Sequence, residues 1–318
     1  MLHAANHIFH PTAGKVAIAL AVLAWPLAAR MGVEPAAESR SLYLNVEKGG
    51  GLITGLTQEN FRLYVKGKPH PFRLEKPEEP ASIALLVEHS GSSGYFADDL
   101  NAALQGFLKH APEGHWYALA TFSHELEVHT DFTKQIGEIT AAYSQLGPPM
   151  WSEIDTYDAV YEMLDKMGWL PGRRILIVVG SGLDTFSEHD LGQVQRKAET
   201  ENVTIFAAGL GSLFRGVYDP YLDSSARMNL MQAQAFLQML ASKTGGFAWF
   251  PNQFNAFPDV MQGIMQSVAT QYRLVYDAPP NGSGKFHKIK VEAFRIVNDK
   301  REDFKVLARE GWRRFTGI

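Results

Sequence analysis

The chain of 318 residues contains no cysteine, which excludes disulfide staples, thiolate metal centres and a cysteine nucleophile, and leaves folding to packing alone. It also lacks any long basic run, and its formal charge is −4. That balance excludes a protein that tracks phosphate backbones, and neither a nucleic acid nor a nucleotide is expected as partner. Beyond the first forty residues there is no apolar stretch of membrane length, and no internal repeat is visible. The glycine pair Gly209 and Gly211 lacks the third glycine of a dinucleotide fingerprint, and no helix is expected to open there. A nucleophile elbow is missing as well, because Ser90 precedes Ser92 and Tyr95 follows Ser93 where glycines are required. Ser92, Asp184 and His287 can be written in the chain order of a hydrolase triad, but His287 falls in a β-rich tail far from the loop that holds Ser92. A hydrolase is therefore the least favoured reading, and no enzyme is expected.

What is present is ordinary globular composition, 46% apolar and 20% charged, with room for about two domains. Residues 1–40 have the layout of a secretory signal peptide or N-terminal anchor: Lys15, the apolar run 16–25, then Pro26-Leu27-Ala28-Ala29. Export to the periplasm or the extracellular space is the consequence, with membrane contact only through that segment if it is not cleaved. His3, His7 and His10 have ligand-like spacing but lie inside it and are not taken as a site.

Residues 41–80 read as a β segment, with strands at 41–46, 61–65 and 72–74, glycine-rich turns and a polar, proline-bearing linker. Residues 81–271 alternate strand and helix, with buried strands at 83–87, 175–179 and 203–208 and amphipathic helices at 97–108, 136–146, 157–167, 191–200, 233–242 and 258–270. The polar, aromatic insert 214–229 reads as a surface loop. Residues 272–318 return to strands. This pattern predicts an α/β fold with a doubly wound, mostly parallel central sheet flanked by helices. It also predicts a small β-sandwich-like domain made by the N- and C-terminal strands together.

The strand 83–87 delivers Glu88, Ser90 and Ser92 to one loop at its C-terminal end, the edge at which open α/β sheets place ligands. Alternate residues of an extended loop point the same way, so a carboxylate and two hydroxyls can converge on a hard cation such as Mg²⁺ or Mn²⁺. His89 alternates away from the acid and is not counted as a ligand.

The order of elements, together with Gly55-Leu56-Thr57-Gln58-Glu59-Asn60-Phe61, Lys66-Gly67-Lys68, Tyr272-Arg273-Leu274 and His287-Lys288-Ile289-Lys290-Val291, resembles the von Willebrand factor type A fold. More narrowly, it resembles the exported acidobacterial VWFA-related domain family. The resemblance implies a metal-ion-dependent adhesion site built from three loops, and this chain departs from it in each. Glu88-His89-Ser90-Gly91-Ser92 stands where Asp-x-Ser-x-Ser is usual, Ile154 where a threonine is usual, and Ser181-Gly182 where Asp-Gly is usual. Asp184 lies further round the third turn, and Thr156 could replace the missing threonine only after a shift of register. The resemblance therefore implies a degenerate site at Glu88, Ser90 and Ser92, with no cofactor expected beyond a weakly held Mg²⁺ or Mn²⁺.

The functional expectation is an adhesion-type protein–protein interaction module whose partner is a protein or a cell-envelope component. The alternative is a structural component of an envelope assembly with a vestigial loop face. The expected binding face carries Tyr95, Phe96, Trp151, Thr156, Ser181 and Asp184, with Met150 and Phe186 as further apolar anchors.

Overall fold

The computed structural model describes residues 38–279 and 284–314; the expected signal segment lies outside them except for its last residues. Five strands come first: β1 (Glu38–Lys48), β2 (Gly51–Leu52), β3 (Phe61–Val65), β4 (Lys68–His70) and β5 (Arg73–Glu75). The alternating part follows as β6 (Ser82–Glu88), α1 (Ala97–His110), β7 (Trp116–Phe122), β8 (Leu126–Thr133), α2 (Ile136–Ser144), α3 (Thr156–Gly168) and β9 (Arg174–Gly180). It continues through α4 (Leu191–Thr200), β10 (Val203–Gly209), α5 (Gly211–Tyr218), α6 (Ser224–Thr244), β11 (Ala248–Trp249) and α7 (Phe257–Ala269). The strands β12 (Tyr272–Ala278), β13 (His287–Val297), β14 (Lys300–Ala308) and β15 (Gly311–Trp312) complete the described chain.

The alternating part forms one six-stranded sheet in the order β11-β10-β9-β6-β7-β8. All neighbours are parallel except the hairpin pair β7 and β8. Every residue of β6 is buried, and the period-two geometry of a strand divides them between two cores. Ile83, Leu85 and Val87 face a layer with Leu104 and Phe107 of α1 and Met261 and Ile264 of α7. Ala84 and Leu86 face the opposite layer, with Val160 and Leu164 of α3, Val194 of α4 and Leu237 of α6. Leaving β6 the chain goes to β7 on one side, and leaving β9 it goes to β10 on the other. The crevice between the ends of β6 and β9 is therefore the place where the strand order reverses, the usual ligand position of such sheets.

The insert read as a loop is instead largely helical. A helix opens at Gly211, immediately after the glycine pair where none was expected, and α6 begins at Ser224. Leu213 and Leu230 anchor these helices in the core. The Asp223 carboxylate caps α6 by accepting from the Ala226 amide at 2.7 Å, the usual role of an aspartate at a helix N-terminus.

The terminal strands form one continuous hydrogen-bonded path, β4-β3-β13-β14-β1-β12-β5, with β15 and β2 appended, in place of the two facing sheets of a sandwich. The long strands make this possible. β14 pairs with β13 through its first half and with β1 through its second, so the sheet bends back on itself. His70 of β4 then reaches the Asp277 carbonyl of β12 at 2.7 Å. Inside the bend Leu42, Leu44, Phe61, Leu63, Leu274 and Ile289 make a third core.

The outer face of β1 packs on the helical layer. Asn45, fully buried, donates from Nδ2 to the Ser267 carbonyl of α7 at 2.8 Å. Arg173, also buried, donates from Nε to Gln271 Oε1 at 3.1 Å and lies 5.6 Å from the Tyr43 ring. Burial lowers Arg173 to about 10, yet its donors are satisfied by Gln271 and the Val268 carbonyl. Replacing it strands those acceptors and opens a void. Arg173→Ala is expected to lower unfolding free energy by about 3 kcal/mol, measured as a shift of the urea midpoint at unchanged slope.

Candidate functional site at the switch point

Glu88 ends β6 with its side chain 1% exposed and turned into the crevice. Its Oε2 accepts from the Ser181 amide at 2.6 Å and from Ser181 Oγ at 2.7 Å. Its Oε1 accepts from Ser90 Oγ at 3.0 Å. The single carboxylate of the first loop thus spans the switch point and fastens β6 to the loop after β9. Gly180 is what lets it do so, because a Cβ there would stand 2.8 Å from the Glu88 Cβ and 2.9 Å from Oε2. Burial raises the Glu88 carboxyl above its ordinary range, and the hydrogen bonds from Ser181 and Ser90 offset part of that rise.

The hydroxyls around Glu88 have little left to offer. Ser90 Oγ receives the Ser93 amide at 3.1 Å, and the Ser90 amide donates to Ser93 Oγ at 3.0 Å. Ser181 Oγ receives the Leu183 amide at 3.1 Å. Ser92, expected beside Ser90 as a ligand, is half-buried and makes no side-chain hydrogen bond among the described residues; Ser93 takes that part. The reason is local: a 3₁₀ turn begins at Ser93, so the alternation assumed for an extended loop ends at Ser90.

Direct hydrogen bonds join the second and third loops. The Thr185 amide donates to the Ile154 carbonyl at 2.8 Å, and the Ile154 amide donates to Thr185 Oγ1 at 2.9 Å. Asp184 accepts from the Tyr157 amide at 2.9 Å and from Ser187 Oγ at 2.6 Å, while burial raises its carboxyl against these bonds. Asp155 accepts from the Phe186 amide at 3.0 Å. The Gly91 amide reaches the Trp151 carbonyl at 2.7 Å and joins loops one and two. Asp155 and Thr185, neither of them among the expected site residues, thus take part in joining the loops.

Three residues expected on the binding face are buried and have other work. Phe96 packs in the core beside Phe214, ring centroids 5.0 Å apart. Thr156 donates to the Leu183 carbonyl from a fully buried position. Ser181 is held under Glu88. Tyr95, Met150, Trp151 and Phe186 are exposed, Trp151 by 50%. Met150 and Trp151 border a cavity of about 450 Å³ lined also by His89, Ser123, Glu127 and His129. His89 Nε2 meets the Gly147 carbonyl at 3.0 Å on its rim.

A hard divalent cation needs several free oxygen lone pairs around one point. Here one carboxylate already receives three donors, the neighbouring hydroxyls are engaged with it and with amides, and Ile154 presents hydrocarbon to the core. Among the described residues no group of three or more His, Asp or Glu is arranged to hold a metal. The residue set does not fit Mg²⁺ or Mn²⁺.

No protein-family model and no curated protein matches the chain. Among solved structures it is similar to a von Willebrand factor type A protein from Catenulispora acidiphila, at 9% identity and a TM-score of 0.48, over 89% of this chain and 74% of that one. The ArnB paralog VWA2 from Sulfolobus acidocaldarius matches at 12% identity and 0.43, over 87% and 76%. The mussel byssus protein PTMP1, solved with a zinc-occupied adhesion motif, matches at 15% and 0.46, over 61% of this chain and 46% of that longer one.

The raised Glu88 carboxyl links the loop face to pH. It favours the folded state while protonated, so the contribution is complete below the ordinary glutamate range and is lost as pH rises through the raised value. Glu88→Gln keeps an acceptor for Ser181 and removes the titration. Urea midpoints taken from pH 4 to pH 8 are expected to fall with pH for the wild type relative to Glu88→Gln; parallel profiles would contradict the assignment.

Proposed function

We propose that the chain is an exported, non-enzymatic protein-interaction module whose loop face engages its partner without a bridging cation. The observation that carries this reading is the saturation of Glu88. The point between the three loops where an adhesion-site cation would sit is crossed by a carboxylate that already has three donors. In this sense the site is degenerate, and affinity has to come from apolar anchors at the surface.

Charge indicates which partner would dock there. The segments 88–99, 123–127, 145–158 and 181–190 contain no lysine or arginine, while Asp98, Glu125, Glu127, Glu188 and Asp190 are acidic and exposed. Trp151 and Glu127 border the same cavity. A lysine or arginine side chain of a protein partner suits both, stacking on one and pairing with the other. The polarity is opposite to that of a metal-bridged face, where the partner brings a carboxylate to the ion.

Random peptides displayed on phage, selected on the immobilised full chain with Mg²⁺ or with chelator, test this directly. Enrichment of lysine- and arginine-bearing peptides is expected in both conditions, with retention at least about tenfold weaker on Trp151→Ala. Acid-rich peptides held only with Mg²⁺, or retention unaffected by Trp151→Ala, would overturn the reading.

A further inference from the structure

A second site lies away from the loop face, between the bent β-sheet and the opposite end of the α/β sheet. Arg40 of β1, Arg174 of β9 and Arg309 just after β14 line one cavity of about 320 Å³. Arg309 is only 6% exposed. Its Nη1 donates to Asn202 Oδ1 at 2.8 Å, and its Nη2 to the Ala198 and Glu201 carbonyls, both at 2.9 Å. Those partners are all neutral. Arg174 likewise donates to the Met167 and Gly168 carbonyls. Among the described residues neither guanidinium has a carboxylate within ion-pair distance. All three arginines carry a buried Nε without a hydrogen-bond partner.

Of the acids that border the cavity, Glu38 neutralises Arg40 within it, while Glu78 and Glu201 make their ion pairs with residues outside it. Glu38 pairs with Arg40 at 3.1 Å, Glu78 pairs with Arg273, and Glu201 pairs with Lys197 at 3.1 Å. Arg174 and Arg309 therefore face one partly open cavity without a direct ion pair, and Glu201 and Glu78 act on Arg174 only from beyond ion-pair distance. An unpaired charge taken out of water is costly, and a bound anion is the simplest way to repay it. Burial lowers Arg309 to about 10, with repulsion from Arg40 and Arg174 acting in the same direction.

We infer that this cavity binds a phosphate-type oxyanion. Guanidinium groups arriving from three separate elements suit the several oxygens of a tetrahedral anion better than the single plane of a carboxylate. The volume exceeds that of a bare ion, so the phosphate can be free or carry a small organic group such as the glycerol of a lipid headgroup.

Melting of the full chain in sodium phosphate, sodium glycerol 3-phosphate and sodium chloride at matched ionic strength tests the assignment. Phosphate at tenfold its dissociation constant is expected to raise the melting temperature by about 3 °C over chloride. Glycerol 3-phosphate acting at lower concentration than phosphate marks an esterified ligand, and the reverse order marks the free ion. Arg40→Gln and Arg174→Gln leave the Arg309 contacts in place and should weaken the effect by about tenfold. Broadening of the phosphate ³¹P resonance by wild-type protein, absent with either variant, gives a readout independent of unfolding. Equal melting in phosphate and chloride, or undiminished binding by both variants, would overturn the inference.

Discussion

The buried carboxylate of Glu88, clasped by Ser181 and Ser90, is the constraint on which the loop face depends. It sits where the strand order reverses and where open sheets ordinarily leave a crevice. One methylene beyond an aspartate lets it cross to the third loop, where the Ser181 hydroxyl and amide wait as donors. The serine at position 181 and the glutamate at position 88 belong together: an aspartate at 181 would set two carboxylates against each other with nothing to neutralise them.

With Glu88 holding the first loop to the third, the Gly91–Trp151 bond holding the first to the second, and Thr185 with Ile154 holding the second to the third, the face is tied pairwise by hydrogen bonds. In a metal-dependent site the ion performs that cross-linking. Here side chains and amides link the loops, and Trp151 and Met150 are exposed beside them. At the other end of the sheet, Arg309 is buried and Arg174 partly so, and the groups that accept their hydrogen bonds are neutral.

Much of this was legible in the sequence. Wholly apolar runs such as 83–87 and 175–179 could only be strands covered on both faces, and the period of α3 and α4 fixed helices to within a residue or two. The insert after Gly211 reads as a loop in sequence because exposed aromatic and polar residues such as Tyr221 and Asn229 mask the sparse anchors Leu213 and Leu230. At the site, Glu88 and Ser90 were placed correctly together, but Ser92 was drawn in by assuming an extended loop where a 3₁₀ turn begins. Burial of Phe96, Thr156 and Ser181 was invisible because a motif gives the loop and not the depth of each side chain. The arginine cavity left no local signal at all, since its three members are separated by more than a hundred residues and meet only through the fold.

Calorimetric titration of the full chain with Mg²⁺ and with Mn²⁺ tests the central claim most directly. If Glu88 closes the switch point, neither ion gives a saturable heat, and Glu88→Gln behaves as the wild type does. A saturable, one-to-one isotherm that disappears in Glu88→Gln would show that the carboxylate serves a cation and would contradict the account.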